Sequence, residues 1–191
     1  MKIITISREF GSGGRELGKR LAEELGIHCY DHEIIELIAK EHGFDERYVA
    51  NISEKCIEAA YPMTIGHRFA MPPVQIMDQG FQVAAAQQQI IENFAKQGDC
   101  VIVGRCGDYV LRERENVLRT FVYAPLDARI AFAKSRPDAK DMPDRLWETQ
   151  LAKHDRARAS YYNYYTENRW GEAKNYDLCL NATLGREACA D

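Results

Sequence analysis

The chain begins with a short apolar segment that passes through a glycine-rich turn into a helical pattern. Ile3–Ile6 is rich in β-branched residues and does not alternate with charged ones, which favours a strand covered on both faces. From about Gly14, leucine and alanine recur at helical spacing until Gly26, a residue typical of helix C-termini. A strand that leads directly into a helix predicts a parallel sheet, because parallel strands need a crossover connection.

The same alternation continues along the whole chain. Further strands are predicted at Ile27–Tyr30, Cys100–Val103, Leu118–Tyr123 and Tyr176–Leu180. One further helix is expected to end at about Lys40 and another to begin at about Pro143. Helices are also expected over 45–60, over 74–96 and between Pro125 and Pro137, and a loop is expected at 61–73. The pattern predicts one domain, 1–191, with a doubly wound α/β fold: a parallel five-stranded sheet between two layers of helices.

Charge and composition exclude several classes of function. The net charge of -4 argues against non-specific nucleic-acid binding, so an anionic ligand has to be held by local arginine clusters. No apolar run is long enough to cross a bilayer, and the first residues lack a signal-peptide pattern. The six cysteines include no CxxC pair, so we expect reduced thiols, no dedicated metal site and a cytoplasmic protein.

The glycine-rich turn can be aligned in two ways with the phosphate-binding consensus GxxxxGK[ST]. In the first alignment, Gly13, Gly18 and Lys19 match, but Arg20 stands where Ser or Thr is required. The leucine spacing is already helical there, which would place Lys19 on the flank of the helix. We therefore reject this alignment.

The second alignment places the loop directly after the strand. At positions 8, 14 and 15 the consensus has glycine, lysine and a hydroxyl residue, whereas this chain has Arg8, Gly14 and Arg15. The backbone of the loop is therefore retained, but the cationic side chain of the consensus lysine is missing. Arg8 or Arg15 is the candidate replacement. Main-chain N–H groups can face an anion at four positions: Gly11, Ser12, Gly13 and Gly14. A tight turn without a ligand is the alternative, which the two flanking arginines disfavour.

Five segments share their motifs with one known family: "ITISREFGSGGRELGKRLAEELG", "YDHEII", "VIVGRCGDYVL", "VYAPLDARIA" and "YYNYYTENRWGEAKNYDLCLNATLG". Together they resemble the cytidylate kinase-like family, a bacterial branch of the P-loop nucleoside monophosphate kinases with this altered loop. The resemblance implies the sheet of those kinases, with an acceptor-binding helical region at about 31–97 and a lid at about 134–160. It also implies ATP as donor, with Mg²⁺ held through phosphates and water.

The resemblance assigns two residues to the acceptor. Asp31 matches the family's acidic residue on the acceptor side, although a role as N-cap of the next helix explains it equally well. Arg105 matches an arginine that holds the acceptor nucleotide, and a structural salt bridge is the alternative. The aspartate that follows in the family is Cys106 here, which we expect to be a packing residue and not a nucleophile.

The resemblance further places basic residues of the lid over the transferred phosphoryl group. Arg156 and Arg158 are the catalytic candidates, and a solvated helix with ordinary i,i+3 pairing is the alternative. Three more basic residues, expected in a loop between helices, are assigned to the same region: Lys134, Arg136 and Lys140. The loop at 181–183 corresponds to the border of the adenine site in the related kinases.

The function expected from these features is ATP-dependent phosphoryl transfer to a small acceptor, a pyrimidine nucleoside monophosphate. Two alternatives stay open. The missing lysine favours a nucleotide-binding sensor without turnover, and the insertion from about 45 to 96 favours a kinase of a non-nucleotide metabolite. The expected partners are small-molecule nucleotides, with neither nucleic acid nor membrane. The long helix at 74–96 either forms a homodimer or packs internally.

Overall fold

The protein, analysed as a computed structural model, folds around one parallel sheet. The structure describes residues 2–54, 63–65, 68–70, 74–137, 139–185 and 188–189. The strands in these ranges are β1 (Ile3–Arg8), β2 (His28–Tyr30), β3 (Met63–Ile65), β4 (Arg68–Ala70), β5 (Cys100–Val103), β6 (Val117–Tyr123) and β7 (Leu178–Asn181). Among these described residues, the main sheet has five strands in the order β2–β5–β1–β6–β7, and every neighbouring pair is parallel. The predicted fold class is therefore confirmed.

Helices cover both faces of the sheet. They are α1 (Gly14–Leu25), α2 (Glu33–His42), α3 (Glu46–Glu54), α4 (Val74–Gln97), α5 (Gly107–Val110), α6 (Leu126–Ser135) and α7 (Asp144–Thr166). No helix in the described ranges is both long and apolar enough to span a membrane. Successive residues of β1 point to opposite faces, so Ile3 packs on one side and Ile4 on the other.

The two faces have separate apolar cores. On one face α1 packs against the sheet through Leu17, and a Cβ on Gly18 would lie 2.9 Å from Val103 Cγ2. That close approach explains why the helix carries a glycine in its interior. On the other face α2 and α4 contribute Ile38 and Ile91, both fully buried. Strands buried on both sides account for the continuously apolar segments of the sequence.

Of three local predictions, two need correction and one is confirmed as far as the described residues extend. The stretch predicted as a loop at 61–73 contains β3 and β4, which pair antiparallel, while the rest of it lies outside the described residues. Glycine and proline delimit short strands as well as loops, and the prediction gave them too much weight. The helix predicted over 45–60 is α3 as far as Glu54, and 55–60 lie outside the description. Lys134 belongs to the last turn of α6 instead of a loop.

The sheet brings three loops together at one edge. Ile6 near the end of β1 is in register with Val103 at the end of β5, and Tyr30 of β2 is in register with Ile102. The segments that follow these strands therefore emerge side by side. In parallel α/β folds this carboxyl edge is where ligands bind.

Candidate functional site

A cavity of about 250 Å³ opens where the loops after β1, β2 and β5 meet. Its walls combine main-chain groups of the glycine-rich turn with charged side chains. In the described part of the chain the lining residues are Arg8, Glu9, Phe10, Gly11, Gly13, Gly14, Arg15, Asp31, His32, Ile35, Arg105, Arg136 and Arg158. Arginines outnumber carboxylates in this lining, so the cavity suits an anion although the whole protein is acidic. We call it the anion cavity.

Most of the predicted site residues line the anion cavity. They are Arg8, Gly11, Gly13, Gly14, Arg15, Asp31, Arg105 and Arg158. Ser12 is buried behind the turn, and its hydroxyl donates to the Glu9 carbonyl at 2.9 Å. Arg156 is exposed on α7, outside this lining. The predicted catalytic pair Arg156 and Arg158 is thus divided, with only the second arginine at the cavity.

Two glycines give the turn its shape. Gly11 has a φ of 81° and Gly13 a φ of 78°, both in the left-handed region that other residues rarely adopt. Gly13 occupies the N-cap position of α1. Gly11 approaches α6 so closely that a Cβ would lie 2.7 Å from the carbonyl oxygen of Arg129. A side chain at Gly11 is therefore excluded both by conformation and by space.

The main-chain amides of the turn fall into two groups. The Phe10 N–H donates to Asp155 Oδ1 at 2.7 Å and is thereby fixed to α7. Among the described residues, the amides of Gly13 and Gly14 have no hydrogen-bond partner. They belong to the unsatisfied donors of a helix start, and both residues line the anion cavity. The beginning of α1 can therefore donate hydrogen bonds to an anion.

The position at which the consensus has lysine is closed to any side chain. A Cβ on Gly14 would lie 2.7 Å from the Cβ of Arg8 and 3.3 Å from the Cβ of Val122. The guanidinium of Arg8 lies against Gly104 at the end of β5, where an added Cβ would overlap it. Arg8 therefore extends from the glycine-rich turn to the loop that carries Arg105.

Arg15 and Asp31 form an ion pair at the cavity, between the guanidinium Nε and the carboxylate Oδ2. The Arg15 side chain is 42% exposed and the Asp31 side chain 13%. The N-cap interpretation of Asp31 is wrong, because α2 begins at Glu33 with His32 in the N-cap position. In the described structure no side chain caps this helix. Asp31 instead connects the loop after β2 with α1.

Arg105 lies in a strained turn. Gly104, Arg105 and Cys106 have φ values of 72°, 57° and 55° in succession. For residues with a Cβ this conformation costs on the order of 1 kcal/mol or more, and such strain concentrates at functional sites. Gln87 of α4 is 3% exposed, and its Nε2 donates to the Arg105 carbonyl at 2.9 Å. This hydrogen bond helps to hold the turn, and Arg105 lines the anion cavity.

A smaller cavity of about 30 Å³ adjoins Arg105 on its other side. Its wall includes Tyr161, Tyr162 and Trp170, which pack with Cys106. Burial raises the pKa of Cys106 above its ordinary value of 9.0, so the nucleophilic thiolate is disfavoured. This agrees with the prediction that Cys106 is a packing residue.

A buried carboxyl group joins β1 to α7 beside the smaller cavity. Asp108 accepts hydrogen bonds from the hydroxyls of Tyr162 at 2.6 Å and Ser7 at 3.2 Å. Burial raises the pKa of Asp108 above its ordinary value of 3.8, and the hydrogen bonds offset this only in part. The group is therefore more easily protonated than an exposed aspartate.

Helix α7 packs directly on the glycine-rich turn. The ring of His154 stacks on Phe10 with centroids 4.2 Å apart, and Arg158 Nη1 donates to the Arg8 carbonyl at 3.2 Å. Phe10 also packs against the cluster that contains Trp147, near the beginning of the helix. The second half of the predicted lid is thus attached to the turn. The lid itself remains a prediction.

Sequence reasoning did not find two of the polar residues that shape the site. Arg129 of α6 is 7% exposed and pairs with carboxylates of the turn and of α7. Gln87 holds the Arg105 turn from the long helix. The one signal for Arg129 is its position in an otherwise apolar part of α6, since a buried arginine needs paired partners. Gln87 lies among other glutamines and had no signal.

A third cavity, of about 340 Å³, shares Gly11 with the anion cavity and extends towards β7. Its lining is Gly11, Ser12, Ala124, Ala128, Phe132, Ala182, Thr183 and Gly185. The loop predicted to border adenine lies here and continues into a short 3₁₀ turn, Ala182–Leu184. Small side chains and one aromatic ring leave room for a flat heterocycle.

The sheet order and the phosphate-type turn define the α/β fold of the P-loop kinases. An uncharacterized protein from Eubacterium ventriosum ATCC 27560 is 24% identical, with a TM-score of 0.73 over 100% of this chain and 94% of that one. Shikimate kinase from Bacteroides thetaiotaomicron is 12% identical, with a TM-score of 0.55 over 99% and 94%. Shikimate kinase from Acinetobacter baumannii is 12% identical, with a TM-score of 0.53 over 100% and 89%. At these identities the likeness concerns the fold alone.

The chain belongs to the cytidylate kinase-like family, whose model matches residues 3–184. The resemblance seen in the motifs is thereby confirmed over nearly the whole chain. No curated protein matches the chain in sequence. This family and fold are compatible with phosphoryl transfer and do not specify the acceptor.

Proposed function

We propose that the protein transfers a phosphoryl group from ATP to a pyrimidine nucleoside monophosphate. One observation carries the proposal: unsatisfied amides at the start of α1 line the same cavity as arginines from β1, α1, α7 and the segments after β5 and α6. Phosphoryl transfer is catalysed mainly by positioning the reactants and neutralising charge on the phosphoryl oxygens. The cavity offers the groups that this task requires, and family membership supports the reaction class.

The donor phosphates bind at the glycine-rich turn. The N–H groups of Gly13 and Gly14 donate to them, as amides at helix starts do in other phosphate sites. Arg8 supplies the side-chain cation, because its stem fills the space beside Gly14 and its guanidinium extends towards the acceptor loop. Arg15 is the weaker candidate, since its guanidinium is paired with Asp31.

The nucleoside of the donor occupies the third cavity, on the β7 side of the turn. Phe132 and the loop at 181–183 border that space, which is continuous with Gly11 of the turn. Magnesium would neutralise part of the phosphate charge. Ser12 is buried and hydrogen-bonded to Glu9, so the residues present fit a metal held by the donor phosphates and water.

The acceptor lies on the opposite side of the anion cavity. Arg105 binds the acceptor phosphate in a geometry that its strained turn fixes beforehand, and Asp31 accepts hydrogen bonds from the acceptor. Arg136 and Arg158 neutralise the transferred group from the side of α6 and α7. A phosphate acceptor is already ionised, so no general base is needed. Arg156 would contribute only if its part of α7 moved towards the cavity.

Calorimetry and an ADP-release assay test the proposal together. Wild-type protein should bind ATP and form ADP when magnesium and CMP or UMP are both present. Arg8→Ala and Arg158→Ala should lower turnover, whereas Lys19→Ala, an exposed change on the flank of α1, should leave it unchanged. ATP binding without ADP formation for any acceptor would favour the sensor. ADP formation only with hydroxyl acceptors other than nucleotides would favour the metabolite kinase.

A further inference from the structure

A buried arginine joins three elements around the glycine-rich turn. Arg129 of α6 places Nη1 3.0 Å from Glu9 Oε2 in the turn and Nη2 2.8 Å from Asp155 Oδ2 on α7. Its side chain is 9% exposed, so the pairs lie in a medium less polar than water. Pairs of this kind cost much more to break than exposed ones, since a lone buried charge remains.

Glu9 is an unexpected residue for a phosphate-binding turn. Its side chain is 27% exposed and it lines the anion cavity, where a bare carboxylate would repel a polyphosphate. It cannot easily turn away, because its Oε2 also accepts the Ala124 N–H at 3.1 Å. The guanidinium of Arg129 is the positive charge that compensates it directly.

The second carboxylate acts on the turn backbone. Asp155 Oδ1 accepts the Phe10 N–H at 2.7 Å, while its Oδ2 contacts Arg129. The carbonyl oxygen of Arg129 approaches the position of a Cβ on Gly11 to 2.7 Å. Arg129 therefore contacts the turn through both its side chain and its main chain.

We propose that Arg129 is a positioning residue of the anion site, which cancels the charge of Glu9 and fixes the turn backbone through Asp155. This inference rests on the proposed function, because it assumes that the cavity binds polyphosphate. The charge effect and the backbone effect are separable. Without the Arg129 guanidinium, the negative charge of Glu9 repels the bound anion. Replacing Glu9 as well removes that repulsion but does not restore the hydrogen bonds that Arg129 donated.

Binding of inorganic tripolyphosphate, followed by calorimetry, is the test. Arg129→Gln should weaken binding about tenfold or more, and Arg129→Lys should keep most of the affinity because the charge remains. The double variant Glu9→Gln with Arg129→Gln should regain most of the loss. The matched double variant Asp155→Asn with Arg129→Gln removes an equal charge further from the ligand, so its binding should stay weak.

If Arg129 had a purely structural role, the tripolyphosphate affinity of the variants would follow their thermal stability. Each double variant removes one of the two carboxylates that Arg129→Gln leaves without their guanidinium partner, so the thermal unfolding midpoints of both should rise together relative to Arg129→Gln. If their tripolyphosphate affinities also rise equally, or if folded Arg129→Gln binds like the wild type, the inference is overturned. Should the single variant fail to fold, the comparison of the two double variants with Arg129→Lys still decides the question. Wild-type protein that binds no tripolyphosphate would overturn the proposed function, and this inference with it.

Discussion

Arg8 and Gly14 compete for one volume: a Cβ on Gly14 would lie 2.7 Å from the Cβ of Arg8. The residue at the end of β1 thus fills the space in which a lysine at the start of α1 would begin. The residues at positions 8 and 14 are therefore coupled, because an arginine at the first leaves no space for a lysine at the second. In the proposed site, the cation beside the donor phosphates comes from the strand and not from the helix.

The coupling predicts that the consensus arrangement can be rebuilt. Arg8→Gly should weaken ATP binding about 10- to 100-fold, the range expected for a lost charge-assisted hydrogen bond. The double variant Arg8→Gly with Gly14→Lys should regain most of the affinity, because the lysine then has space. Calorimetry with ATP measures both changes.

The single variant Gly14→Ala is the steric control for this prediction. It retains Arg8, so the clash should lower the free energy of unfolding by about 1–3 kcal/mol, as overpacking does elsewhere. Urea unfolding measures the change. An affinity of the double variant no better than that of Arg8→Gly would contradict the assignment of the cation to Arg8.

The Arg15–Asp31 pair predicts that replacing Asp31 strengthens binding at the donor phosphate site and weakens binding of the acceptor. Asp31→Asn removes the charge that competes with an anion for Arg15, so tripolyphosphate should bind about two- to fivefold more tightly. The KM of the acceptor should rise, because Asp31 no longer accepts its hydrogen bonds as an anion. Titration calorimetry and steady-state kinetics separate the two effects. Glu41→Gln, an exposed change near the end of α2, is the control and should alter neither value. Weaker tripolyphosphate binding by Asp31→Asn would contradict this assignment.

Replacing Gln87 should lower stability and turnover more than replacing Gln88, its neighbour on α4. Gln87→Leu leaves the buried Arg105 carbonyl without its donor, which should lower the free energy of unfolding by about 1–3 kcal/mol. Turnover should fall further than stability explains, since the strained turn aims Arg105. Gln88→Leu is the control: Gln88 is exposed and donates to Glu92 on the same helix, so stability should change by less than about 0.5 kcal/mol. Equal effects of the two changes would refute the role given to Gln87.

Asp108 predicts a pH dependence of stability with a defined sign. Its folded-state pKa lies above 3.8, so the stabilisation by its protonated form is complete below pH 3.8 and is lost as pH rises through the folded pKa. The wild type should therefore lose stability relative to Asp108→Asn as pH rises above 3.8 and passes the folded-state pKa. Urea unfolding across this range measures the difference.

Asp177 is a control, because its contribution to stability should change with pH in the opposite direction. Its hydrogen bonds with Arg119 hold its pKa below 3.8, so its contribution is present above that value and is lost as pH falls through the lower folded pKa. The difference between wild type and Asp177→Asn should shrink in acid. A pH-independent difference for Asp108→Asn would show that its carboxyl group does not change protonation in this range.

The fold could be predicted because its strongest signals are local. Cys100–Val103 is apolar throughout and forms β5 with the predicted bounds, since a strand buried on both faces requires that composition. β3 and α5, of three and four residues, lack such a continuous apolar run and are too short for periodicity to indicate. The alternative role of Asp31 as a helix N-cap is wrong, because Asp31 pairs with Arg15 and His32 takes the N-cap position of α2.

The site could be predicted only in part, for a related reason. Arg8 and the glycines of the turn are neighbours in the chain, so the motif predicted their grouping. Arg129 and Gln87 reach the site from helices far away in sequence, and their partners are set by tertiary packing. No spacing rule connects such residues. Arg156 and Arg158 are two positions apart on a helix, which places them on different faces.

The attachment of α7 to the turn also gives the protein an optical reporter. The chain has two tryptophans. Trp147 belongs to the cluster against which Phe10 packs, and Trp170 lies in the wall of the smaller cavity beside Arg105. Indole emission responds to local polarity and packing, so filling the anion cavity should change the fluorescence of the unlabelled protein. Trp147→Phe and Trp170→Phe would then assign the signal to the turn or to the acceptor side.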